Sequence, residues 1–125
     1  MRIEITIPGE ICTDHRTDRA MIRGRVVAYK SKPYAAYLVR VAWAGRAALA
    51  AHGLRAWPLD ARYEITITMH EHDRRSRDWD NVKGVCDGLK GIVWNDDKQI
   101  DRAHVYRGEV RKSAPCVVVR VEVMA

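Results

Sequence analysis

Three cysteines, Cys12, Cys86 and Cys116, are spread through the 125 residues. Their odd number and wide spacing exclude a disulfide framework and point to a reducing, cytoplasmic setting, where isolated cysteines act as small core fillers. No apolar run is long enough to span a bilayer. The opening residues alternate apolar and charged side chains, so no signal peptide is expected. A glycine-rich phosphate loop, paired cysteines and a nucleophilic Ser/His arrangement are all missing, which removes the commonest nucleotide-binding, zinc-ribbon and hydrolase signatures. Repeats and low-complexity tracts are also absent. Acidic residues are in deficit: the formal charge is +6. Such a surplus on a small chain favours polyanionic partners, nucleic acid or an acidic membrane surface, although solubility alone is an equally ordinary use of it.

The length suits one domain, residues 1–125, with a single modest core. Ile3, Ile5 and Ile7 alternate with polar residues and predict a half-buried strand that ends at Pro8-Gly9. From residue 10 to 32 no period persists. This stretch carries Arg16, Arg19, Arg23, Arg25, Lys30 and Lys32 and reads as a basic loop, with a short strand over residues 25–29. Pro33 then opens a long helix, where Tyr34, Tyr37, Leu38, Val41, Gly45, Ala48 and Leu49 share one face and Gly53 is the stop. Tyr63, Ile65, Ile67 and Met69 mark a second strand. A short helix over residues 81–89, a loop over 90–98, a strand over 100–111 and a last strand through Val117, Val119, Val121 and Val123 follow. The resulting fold class is α/β in the α+β sense: a small mixed sheet of about four strands with two helices packed on it.

The informative segment runs from Asp73 to Lys83. Asp78 and Asp80 are two apart, so extended backbone places both carboxylates on one side. Two carboxylates pushed together repel unless a cation lies between them. Oxygen-only ligands of this kind suit Mg²⁺, which leaves room for phosphate and water. A second pair, Asp96-Asp97, follows the short helix, and Asp97 is the candidate third ligand with Asp96 beside it. Arg74, Arg75, Arg77 and Lys83 surround the first pair, as a site that handles phosphates would require. The plainer alternative remains: Asp80 as a helix N-cap and Asp-Asp-Lys as an exposed turn. His70 and His72 on one strand face could suggest zinc, but no further ligands stand near them in sequence. Trp79 could stack on a base or simply pack, and Trp94 is expected to anchor its loop in the core.

Arg77-Asp78-Trp79-Asp80-Asn81, Lys83-Gly84-Val85-Cys86-Asp87-Gly88-Leu89 and Trp94-Asn95-Asp96-Asp97-Lys98-Gln99-Ile100 together resemble the signature of the RusA family of Holliday junction resolvases. The close match covers about a quarter of the chain. The resemblance implies a homodimeric, Mg²⁺-dependent endodeoxyribonuclease that cuts four-way DNA junctions in recombination and repair, of a kind often encoded by phages and prophages. It further implies that Asp78, Asp80, Asp97 and Lys83 are catalytic, with the aspartates as metal ligands. Arg16, Arg19, Arg23, Arg25, Lys30, Lys32, Arg74, Arg75 and Arg77 are the candidate DNA contacts. Two features depart from the family pattern. Only Val82 separates Asn81 from Lys83 where two residues are usual, a rotation of about 100° on a helix. The turn after the first strand also lacks the usual Pro-rich, Asn-containing composition. Two other readings stand beside this one: a non-catalytic basic DNA-binding module, and a nuclease acting on forks or flaps.

Overall fold

The computed structural model describes residues 1–13, 17–53, 57–75 and 79–124. Asp78, Arg77 and Arg16 therefore lie outside the described residues. Ten elements follow in order: strands β1 (Arg2–Pro8), β2 (Thr17–Ile22) and β3 (Arg25–Lys30), helix α1 (Lys32–His52), strand β4 (Tyr63–His70), a 3₁₀ turn (Trp79–Val82), helix α2 (Lys83–Leu89), a second 3₁₀ turn (Asp97–Gln99), and strands β5 (Ile100–Arg107) and β6 (Cys116–Val123). Four strands form the main sheet in the order β1-β6-β4-β5. β6 is antiparallel to both β1 and β4, whereas β4 and β5 run parallel. The mixed sheet and two helices of the α+β expectation are present.

Alternation places the sheet's inner face. Ile3, Ile5 and Ile7, then Tyr63, Ile65, Ile67 and Met69, then Val117, Val119 and Val121 are buried, while the residues between them are half-buried or exposed. Tyr37, Val41 and Leu49 of α1 and Val85 and Leu89 of α2 close over that face in one core. α1 starts one residue before Pro33. Ser31 caps it, its Oγ accepting from the Tyr34 N–H at 3.4 Å. Gly53, at φ 102°, ends it as expected. No described helix is long and apolar enough to cross a membrane.

Glycines bring the helices together. A Cβ on Gly88 would stand 2.6 Å from Val41 Cβ, and one on Gly45 would stand 2.7 Å from Leu89 Cδ2. α2 can thus lie directly on α1. It belongs to the crossover that the parallel β4–β5 pair requires, and every element of the candidate site lies on that crossover.

Two expectations change. The short strand expected over residues 25–29 is present as β3, but the basic stretch before it is not all loop: β2 pairs antiparallel with β3 in a hairpin, with register from Thr17↔Lys30 to Ile22↔Arg25. Arg23 (φ 51°) and Gly24 (φ 76°) both adopt the left-handed region, the mark of a type I′ turn whose twist suits a two-residue hairpin. The strand expected over residues 100–111 ends at Arg107. Beyond it the chain bends, with Gly108 N donating to Met69 O and Arg111 N to Glu71 O.

Candidate active site

The crossover supplies two exposed acidic turns, one before α2 and one after it. Asp80 lies in the first 3₁₀ turn, where Asn81 is buried and Trp79 faces solvent. Lys83 opens α2 and is exposed. The preceding 3₁₀ turn means that Lys83 does not continue an α-helix begun at Asn81. The expected start of the helix at residue 81 therefore moves to Lys83, and the shortened Asn81–Lys83 spacing falls at the junction of two helix types.

Asp97 is held more closely. Its Oδ1 accepts the indole N–H of Trp94 at 3.0 Å. Trp94 is fully buried, as its anchoring role requires. It ends a ring series: His52 meets Trp57 edge-on at 5.7 Å, Trp57 stacks on Tyr63 at 5.8 Å, and Tyr63 lies 6.2 Å from Trp94. The Trp57 indole also donates to the Val93 carbonyl at 3.0 Å. A rigid aromatic support thus runs from the end of α1 to one oxygen of Asp97.

Asp96 has another task. Its side chain accepts from Lys98 N at 2.9 Å, and with Gln99 it forms a capping box around the second 3₁₀ turn. The backbone N–H of Lys98 holds the Asp96 carboxyl below the usual carboxylate range, with help from Lys90 and Lys98. Gln99 is fully engaged. Its Oε1 accepts from Asn95 N (2.8 Å) and Asp96 N (2.9 Å), and its Nε2 donates to the carbonyls of Leu59 and Ala61 (2.8 Å each). This one amide ties the acidic turn to the segment before β4. In the sequence Gln99 stands only as one residue of the Trp94–Ile100 motif, without this tethering role, although Asp-x-x-Gln is a visible capping signature.

A third carboxylate, Asp87 on α2, is occupied by the Tyr34 hydroxyl, which donates to it. Burial, followed by that hydrogen bond to an acid, raises the Tyr34 pKa above the ordinary tyrosine value. Between the two acidic positions lies Cys86, whose thiol is pushed up to about 11, first by burial and then by the charges of Asp97 and Asp87.

Among the described residues no three His, Cys, Asp or Glu side chains form a cluster able to hold a metal. What they offer is two exposed carboxylates, Asp80 and Asp97, with Asp78 outside the described residues. Neither of the two is tied up in an ion pair among the described residues, and both present only hard oxygen donors. That donor chemistry fits Mg²⁺ and disfavours a soft ion. The histidines do not compete. β4 ends at His70, whose Nδ1 meets the Glu109 carbonyl at 3.0 Å, while His72 pairs with Glu10 and Asp73.

Of the expected DNA contacts, Arg19, Arg23, Arg25 and Lys30 are exposed on the hairpin, and Lys32 is exposed at the start of α1. Arg74 and Arg75 are exposed beyond the end of β4. They line a cavity of about 190 Å³ with Met69, Glu71, Asp73 and Arg107. In the chain, Arg74 and Arg75 precede the turn that carries Asp80 and Lys83 follows it.

A family model described as Endodeoxyribonuclease RusA matches residues 8–122. That span contains both acidic turns, α2 and the hairpin. A search of curated proteins returned no match.

Proposed function

The chain belongs to the RusA family of endodeoxyribonucleases, and from that premise we propose that residues 1–125 form a single Mg²⁺-dependent domain that resolves four-way DNA junctions by paired, symmetric phosphodiester hydrolysis. The observation that carries this reading is the crossover itself. The family match spans it, and its two turns expose Asp80 and Asp97 on either side of α2.

Asp78, Asp80 and Asp97 would hold the ion, with Asp96 shaping the turn beside them. Bound there, Mg²⁺ would lower the pKa of a water and offset charge on the phosphate oxygens. The protein's own work is positional. Trp94 fixes one oxygen of Asp97, leaving the other without a donor among the described residues. Lys83, exposed at the start of α2, steadies the phosphate. Tyr34 holds Asp87 away from the ion by occupying its carboxylate. Arg74, Arg75 and the hairpin cations contact the backbone of the arms, so binding is steeply salt-dependent.

Junction chemistry also favours a homodimer. A four-way junction is close to two-fold symmetric, and two copies related by a two-fold axis meet opposing strands in the same way. The test is cleavage of labelled four-way junction, fork and linear duplex, with Mg²⁺ or with chelator. Paired symmetric cuts in the junction, abolished by chelator, are expected. Binding without cleavage of any substrate would refute the nuclease reading, and cuts confined to forks would refute the junction assignment.

A further inference from the structure

The hairpin β2–β3 has no core of its own. Apart from its partner strand, no element packs extensively on it among the described residues. A two-stranded ribbon in water gains little unless its apolar residues find cover. Yet its far end exposes Met21 (70%), Val26 (64%) and Ile22 (53%).

The register shows how these are arranged. Met21 lies opposite Val26, so both point to one face of the ribbon, and Ile22 lies opposite Arg25 on the other face. The end is therefore apolar on both faces and is closed by the tight Arg23-Gly24 turn. Cations frame it: Arg23 and Arg25 at the tip, Arg19 and Lys30 farther back, all exposed. Within the ribbon a single acid, Asp18, stands against these four. An apolar end framed by cations is complementary to nucleic acid at a point where bases are unstacked. Phosphates meet the arginines, and the apolar side chains replace a missing stacking neighbour.

Resting on the reading of this chain as a nuclease of branched DNA, we infer that the β2–β3 ribbon is a wedge that enters the branch point, with Met21, Ile22 and Val26 displacing stacked bases. The cations behind the tip hold the flanking backbones. In this arrangement the ribbon recognises the branch and the crossover supplies the chemistry.

The experiment places 2-aminopurine in the base pairs at the branch of a four-way junction and follows its emission on binding, with Ca²⁺ replacing Mg²⁺. Wild-type protein is expected to raise the emission about threefold or more as bases unstack. The M21S/I22S/V26S variant, altered only at exposed positions, should lose that rise while keeping linear-duplex affinity within about twofold. A full emission rise with the variant overturns the wedge. Sedimentation of the free proteins checks the other possible occupant: if the variant falls from dimer to monomer, the tip is an interface between two copies and the inference is wrong. Cleavage with Mg²⁺ is scored separately on wild type. Cutting without an emission rise removes the wedge alone; an emission rise without cutting removes the nuclease reading and leaves the wedge standing.

Discussion

Replacing Gln99 by Met keeps the length of the side chain and deletes all four of its hydrogen bonds. Two of them, from Asp96 N and to Ala61 O, are partly shielded; the other two are exposed. Water can remake the exposed pair, so their removal costs little. Each shielded bond costs about 1–1.5 kcal/mol, because its backbone partner is left without a good substitute, giving about 2–3 kcal/mol in all. For a domain of this size about 1 kcal/mol corresponds to roughly 4 °C, so the melting midpoint should fall by about 8–12 °C. The acidic turn would also lose its tether to the segment before β4. Asp97 would keep Trp94 but no longer sit in a fixed turn, and a displacement near 1 Å can cost about 100-fold in rate. Thermal unfolding by circular dichroism and single-turnover junction cleavage measure the two effects. Cleavage should fall by about tenfold or more with junction binding little changed. A variant that melts within about 2 °C of wild type and cuts at full rate would refute the claim that this amide fixes the turn.

Gly88→Ala should destabilise the protein despite a better helix propensity of roughly 1 kcal/mol. The new methyl meets Val41 Cβ at 2.6 Å, next to backbone that cannot rotate away, so overpacking leaves a net destabilisation of about 1–2 kcal/mol in urea unfolding. Gly84→Ala, facing Tyr37 ring atoms at 3.0 Å, should cost less, and the reverse order would contradict the described helix crossing. Burial raises the hydroxyl pKa of Tyr34, Tyr37 and Tyr63 in the folded state. Their contribution is thus complete below the unfolded tyrosine value near pH 10 and is lost as pH rises through the folded values; the raised Cys86 thiol acts in the same direction from its unfolded value of about 8.5, so the urea midpoint should be flat from about pH 7 to 8, begin to fall above about 8.5 and drop further above about 10, and a midpoint rising there would be inconsistent with it. Neutralising Arg19 and Lys30 together to Gln should lower the slope of log affinity against log salt by about 0.9 for each phosphate no longer neutralised, and an unchanged slope would remove those two residues from the DNA-binding surface.

Much of this architecture was legible because one face of each core strand is buried. Ile3, Ile5 and Ile7, the alternation from Tyr63 to Met69 and the valines of β6 all betray their period for that reason. β3 is legible as the short strand over residues 25–29, but β2 escaped the same test because neither face of the ribbon packs on a core, so no alternation is selected. The turn between them is Arg-Gly, without the Asn-Gly or Asp-Gly signal that usually marks such hairpins. At the site, the residue types and spacing of Asp80, Lys83 and Asp97 were readable, and so was the anchoring of Trp94. The partners that hold them were not. Gln99 reaches carbonyls about forty residues earlier in the chain, and Tyr34 reaches Asp87 across 53 positions. Interactions of that separation follow from how α1, α2 and the crossover pack, which no local spacing encodes. The close approach of the two helices is likewise visible only once Gly45 is set against Leu89 and Gly88 against Val41.

The proposed function requires carboxylates from two turns separated by α2 to serve one divalent ion. Binding of Mn²⁺, followed by electron paramagnetic resonance in the presence of a four-way junction, addresses that directly for wild type, Asp80→Asn and Asp97→Asn. Each amide keeps the side chain's shape, and at position 97 it retains an acceptor for Trp94. Saturable binding by wild type, weakened about tenfold or more in each variant, is the predicted result. Mn²⁺ held equally well by all three proteins would contradict it.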